Sequence, residues 1–185
     1  MSGGRRFGAY LVSTAFAASL AACGGSSPST PTPTPTPVPT PPPPQVLVQG
    51  GDTLEAEFTG RLPFTTTRAG MLEATVDWTY ATNDLDVALV QGDCSFEQAA
   101  AAQCTVLAIS ESTTAKPEKI TANSAAAGTY TLFIENTGPG DESISFQVVL
   151  TPSATGAAPP TASSRGAQGF PLGQKRPSRG VVELR

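Results

Sequence analysis

The sequence predicts an all-β fold, a single antiparallel β-sandwich of about seven or eight short strands, flanked by segments that have no core of their own. Three observations predict it. Apolar residues recur at every second position through the middle of the chain, turn-forming residues fall between those runs, and Gly and Pro number 18 each while charged residues make up only 14%. Alternation of this kind is what a half-buried antiparallel strand requires, and several such strands need a second sheet to cover the apolar face. The implied organisation is a leader segment over residues 1–22, a Cys-led stalk over 23–45, the sandwich over 46–151, and a disordered basic tail over 152–185.

The start of the chain supports the first boundary. Arg5-Arg6 form a short basic region, and Phe7 to Leu20 carry no charge. About fourteen residues is short for a membrane span and suits a signal-peptide core. The stretch ends in Leu20-Ala21-Ala22-Cys23, followed by Gly24-Gly25-Ser26-Ser27. It resembles the bacterial lipobox, which implies cleavage before Cys23 and a thiol that receives diacylglycerol bearing palmitate-type chains. An ordinary cleaved signal and a twin-arginine signal are the competing readings. Gly24, rather than Asp, implies sorting to the outer membrane in a cell that has two membranes. More than one acyl chain makes anchoring stable, so the expected location is a membrane surface of the cell envelope.

Pro28 to Pro44 read PSTPTPTPTPVPTPPPP. Proline fixes φ and removes backbone donors, so this segment should adopt polyproline II and act as a spacer. At about 3.1 Å per residue the stretch from Cys23 to Pro44 holds the following domain as much as ~65 Å from the anchor. O-glycosylation of the threonines and recognition by a proline-binding partner are the alternatives.

The sandwich elements follow in order. Leu54, Ala56 and Phe58 alternate with Glu55 and Glu57; Leu72, Ala74, Val76 and Trp78 alternate with Glu73, Thr75 and Asp77. Leu85, Val87 and Leu89 share a face, as do Tyr130, Leu132 and Ile134, and then Ile144, Phe146, Val148 and Leu150. Weaker strands are expected at Phe64–Arg68, Thr105–Ser110 and Glu118–Asn123, and two helical turns within Ser95–Gln103. Turns are expected at Ala69-Gly70, Thr82-Asn83-Asp84, Ala127-Gly128 and Asn136 to Asp141. The segments LEATVDW, NDLDVALV, ITANSAAAGTYTLFIEN and SISFQVVL, taken in that order, resemble the bacterial pre-peptidase C-terminal (PPC) family over about Asp52–Thr151. That resemblance implies a jelly-roll-like sandwich appended to exported proteins, with collagen, polysaccharide or calcium as the ligands that some of its members take. No peptidase accompanies the domain here, which departs from the usual setting.

Charge and residue inventory narrow the function. Residues 46–151 carry fourteen Asp/Glu against four Lys/Arg, and the tail is net +4. So acidic a domain repels phosphate backbones, which argues against nucleic acid as a partner. The chain has no His, no Gly-rich phosphate loop and no GxSxG, so Ser-His-Asp catalysis and most zinc sites are excluded. A carboxylate pair acting on glycosides needs a deep cleft, and the expectation is a non-catalytic domain. With Cys23 acylated, Cys94 and Cys104 remain as an even pair in an exported chain and are expected to form a disulfide. A redox or metal pair lacks both the Cys-x-x-Cys spacing and a His.

Among ligand-binding candidates, Asp84 and Asp86 alternate on one strand, with Asp77, Asp52 and Asp141 as further oxygen donors. The set suits calcium, while Asn83-Asp84 also makes a good turn. Trp78, Tyr80 and Phe64 offer rings that could stack on sugars; Trp78 is in phase with the core, and Tyr80 is the better candidate for exposure. Lys175-Arg176-Pro177-Ser178-Arg179 form a basic cluster for an anionic surface or for the acidic domain itself. The reading is a lipid-anchored envelope protein whose sandwich serves binding, adhesion or assembly, with a protein or polysaccharide partner.

Overall fold

A computed structural model describes Thr40, residues 42–154 and residues 178–185. Residues 1–39, 41 and 155–177, which include the expected signal peptide, Cys23 and most of the expected stalk, lie outside the described residues. Within them run β1 (Gln45–Leu54), β2 (Phe58–Thr66), β3 (Gly70–Trp78), β4 (Leu85–Gln91), the helix α1 (Phe96–Ala100), β5 (Thr105–Ser110), β6 (Glu118–Ala125), β7 (Gly128–Asn136), β8 (Glu142–Pro152) and β9 (Gly180–Glu183). One sheet has the order β1-β8-β3-β6, and the other β5-β4-β7-β2-β9. Strands β1 and β8, β2 and β7, β3 and β6, and β4 and β5 pair antiparallel. This nesting is a long hairpin wrapped into two layers, the jelly roll.

The period-two pattern explains the core. Leu72, Ala74, Val76 and Trp78 of β3 and Ile144, Phe146, Val148 and Leu150 of β8 point inward from one sheet. Leu62 and Phe64 of β2, Leu85, Val87 and Leu89 of β4, and Tyr130, Leu132 and Ile134 of β7 meet them from the other. Phe64 stacks on Tyr130 with ring centroids 5.8 Å apart. Burial of a Leu, Ile or Phe side chain contributes about 1.5–3 kcal/mol, so this layer is the main source of stability.

Buried polar side chains tie the loops at one end of the sandwich. Glu142 Oε2 accepts from the Thr79 N–H at 2.9 Å, and its Oε1 accepts from Asn83 Nδ2 at 2.7 Å. Asn136 Nδ2 donates to the carbonyls of Leu54 and Gly140, and its Oδ1 accepts from the Gly138 N–H. The β1–β2, β3–β4 and β7–β8 connections are thereby fastened together, at little cost because each buried group finds a partner.

The structure corrects three expectations. Leu54–Phe58 is not a strand: the chain turns there, with Glu57 in the left-handed region at φ 67 and the Phe58 N–H donating to the Glu55 carbonyl at 3.2 Å. The preceding strand is β1, whose glycines and edge position hide it from a hydropathy pattern. Among the described residues the strands number nine, and the second sheet is mixed, because β9 runs parallel to β2. Part of the expected disordered tail is therefore ordered: Ser178 to Arg185 lie along the sheet, and Leu184 is 5% exposed within the main core.

Candidate functional site

The two outward faces of the sandwich differ. On the five-stranded sheet, Ala88 and Val90 of β4 and Phe133 of β7 are apolar and buried, although they point away from the main core. The chain from Cys94 to Cys104 covers them. Ser95 and Gln98 form a capping box, with the Ser95 N–H donating to Gln98 Oε1 at 2.9 Å and the Gln98 N–H to Ser95 Oγ at 3.2 Å. This starts α1, which sets Phe96 edge-on against Phe133 at 6.0 Å. The Cys94–Cys104 disulfide closes the segment, as expected of the two cysteines left when Cys23 is set aside.

The same face carries a row of cross-strand partners, Asp86 of β4, Glu135 of β7 and Thr59 of β2. Asp86 is 1% exposed and Glu135 3%. Glu135 is a residue that sequence reasoning missed, because only the β4–β7 register sets it opposite Asp86.

The calcium candidates are not assembled into one site. Asp77 points outward from the other sheet and pairs with Lys116 at 2.7 Å, which holds its carboxyl below the usual range. Asp84 accepts from Thr137 Oγ1 at 3.3 Å, Asp141 from the Ala56 N–H at 3.0 Å, and Asp52 from the Thr53 N–H at 2.8 Å. Among the described residues no group of three His, Cys, Asp or Glu has the geometry to hold a metal. Of the aromatic candidates, Trp78 is buried, donates from Nε1 to the Asn83 carbonyl at 3.1 Å and lies under Lys116, while Phe64 is in the core. Tyr80 is 61% exposed.

Glu118 is also sealed. Burial pushes its carboxyl up to about 7, against hydrogen bonds from the Ser110 hydroxyl and the Ser112 N–H, and the charges of Asp86 and Asp84 add to the rise. Nothing in its local sequence sets it apart from the outward-facing acids; its inward phase with Ile120 and Ala122 is the signal that finds it.

The outer face of the four-stranded sheet stays open. Register aligns Gln49 of β1, Gln147 of β8, Thr75 of β3 and Lys119 of β6 in one straight row. Gln147 Nε2 donates to Gln49 Oε1 at 3.2 Å. Ser145 and Asp77 flank that row on one side, Glu73 on the other, around an open trough of about 660 Å³. Both lysines between residues 46 and 151, Lys116 and Lys119, belong to this face or its rim, so it is balanced in charge on an otherwise acidic domain. Amides, hydroxyls and paired charges in a shallow trough suit hydrogen bonding along an extended polar chain. Glu73 and Asp77 stand four residues apart on one strand, roughly 13 Å at ~3.3 Å per residue, which is wider than the ~5–9.5 Å between glycosidase carboxylates. Sequence reasoning missed the row as a unit, since it is made by four strands far apart in the chain.

No family model matches the chain. None of the curated proteins matches it. Among solved structures it is similar to the Yersinia pseudotuberculosis-derived mitogen, at 14% identity over 62% of this chain and 92% of that one, with a TM-score of 0.43.

Proposed function

We propose that this is a non-catalytic binding domain held at the cell envelope by a lipid on Cys23, and that it engages an extended polar polymer, a polysaccharide or a peptide, through the open face of the four-stranded sheet. The observation that carries the reading is the contrast between the faces: one is covered by α1 and the disulfide-closed segment around it, while the other presents Gln49, Gln147, Thr75 and Lys119 in register. The lipobox-like Leu20-Ala21-Ala22-Cys23 and the Pro/Thr stalk support the anchor. The resemblance of residues 52–151 to the PPC family supports an accessory rather than a catalytic role. Two experiments test it. Mass spectrometry of protein made in its own host is expected to find acylated Cys23; a free thiol on protein released to the medium refutes the anchor. Screening against glycan and envelope-protein arrays is expected to find a partner whose binding drops at least tenfold in the Gln147→Ala/Thr75→Ala variant. Binding that survives this double substitution places the site elsewhere.

A further inference from the structure

The C-terminal strand is attached to the sandwich by contacts that do not depend on which chain supplies it. Its backbone pairs with the edge of β2 alone, Gly180 to Glu183 against Phe58 to Arg61. The Arg179 N–H donates to the Glu57 carbonyl at 2.7 Å and the Leu184 N–H to the Arg61 carbonyl at 2.9 Å. Arg61 bonds Glu183 at 2.7 Å, and the Thr59 hydroxyl donates to Ser178 Oγ at 3.0 Å. Leu184 enters the main core through a notch left by Gly60, where a Cβ would stand 2.7 Å from its Cδ1. Backbone pairing, ion pairs (Arg61–Glu183, and Arg179–Glu57 at 3.6 Å) and one apolar anchor are the components of strand addition to a sheet edge.

The covalent tie is long. Between Pro152, which ends β8, and Gly180, which starts β9, lie 27 residues. Pro152 is at one end of the sandwich and the β2 start at the other, since Leu54, just before the turn into β2, pairs with Glu142 at the beginning of β8. The tie must therefore cover about 33 Å along the strands and ~10 Å between sheets. Twenty-seven residues do this easily, and so leave the segment free to reach a neighbour at similar cost.

We propose that the β2 edge with its Gly60 notch is a strand-acceptor site, and that it takes residues 178–185 of a second copy of this chain, joining sandwiches by exchange of β9. In dilute protein the segment seats in its own sheet, because a tether of this length gives an effective concentration of order mM. Where copies crowd to comparable concentration, exchange competes, and it requires no contact beyond those already made within one chain.

The test is the full chain with residues 155–174 deleted. Seven residues then connect β8 to β9, and they reach at most ~28 Å, too short to close within one sandwich. Light scattering is expected to show a twofold or greater mass, and Leu184→Asp in the same deletion is expected to return it to monomer. A folded deletion variant that stays monomeric, or one whose association survives Leu184→Asp, overturns the proposal. Should the deletion fail to fold, full-length Thr59→Cys and Val181→Cys chains, whose positions are direct partners, are mixed at about mM concentration and oxidised. A disulfide-linked heterodimer supports exchange; its absence with both chains folded refutes it. Binding to an array partner through the open face is unaffected by either result, so the two proposals fail separately.

Discussion

The two outer faces of one sandwich have opposite fates, and the difference lies in a few alternate positions. On β4 the residues pointing away from the main core are Asp86, Ala88 and Val90; on β3 they are Glu73, Thr75 and Asp77. An apolar outward position has to be covered, and the chain spends a disulfide-closed helix doing so. A polar outward position is already satisfied by water, and the face stays available. Covering thus marks a second small core, and openness marks the surface on which a partner has room.

The largest test of that contrast is Phe133→Ala. It empties the centre of the covered cluster, where the ring is fully buried, and is expected to cost about 3–5 kcal/mol in urea unfolding. A cost as small as that of a surface substitution would show that the cover is merely draped over the sheet. Reducing the Cys94–Cys104 bridge comes next. Its sequence separation is 10, and opening so small a loop is expected to remove roughly 2–3 kcal/mol, read as a lower urea midpoint with reductant.

Acid is expected to stabilise the domain through Glu118. Its folded value of about 7 lies above its ordinary 4.5, so the folded state holds the proton more tightly. The contribution is fully present below about 4.5 and is lost as pH rises through 7, by about 2–3 kcal/mol. Urea midpoints at pH 5 and 8 for the parent and for Glu118→Gln check this: the substitution should flatten most of the difference, and an unchanged slope would place the titration elsewhere.

The smallest effects belong to the open face. Gln147→Ala and Thr75→Ala are each expected to change stability by no more than about 0.5 kcal/mol, while together they are expected to lower partner binding at least tenfold. Thermal melting is likewise expected to be the same with calcium and with chelator. A calcium-dependent rise would assign a cation to Asp84 and Asp86 in place of the internal partners seen for Asp84.

Much of this was legible in the residues. The inward sets of β3, β4, β7 and β8 alternate cleanly, β5 falls at Thr105–Ser110 as expected, and the cysteine parity anticipated the bridge. The failures have physical causes. Leu54, Ala56 and Phe58 mimic a strand because alternation cannot distinguish a pleat from a turn that buries residues on both sides of Glu57. β1 has Gly50-Gly51 in its middle and owes its strand to β8. β9 offers only Val181-Val182 within a polar, basic segment, and its pairing with β2 spans more than a hundred residues. The row Gln49–Gln147–Thr75–Lys119 is a property of register, which hydropathy does not encode.

The jelly roll also has a direction. The chain enters at Gln45, opposite Leu150, alongside Gly70 and Pro152. Tyr80 and the loops clasped by Glu142 and Asn136 crown the other pole, ~30 Å away at about 3.3 Å per residue. Whatever precedes Gln45 therefore joins the sandwich at its base, the pole opposite that crown.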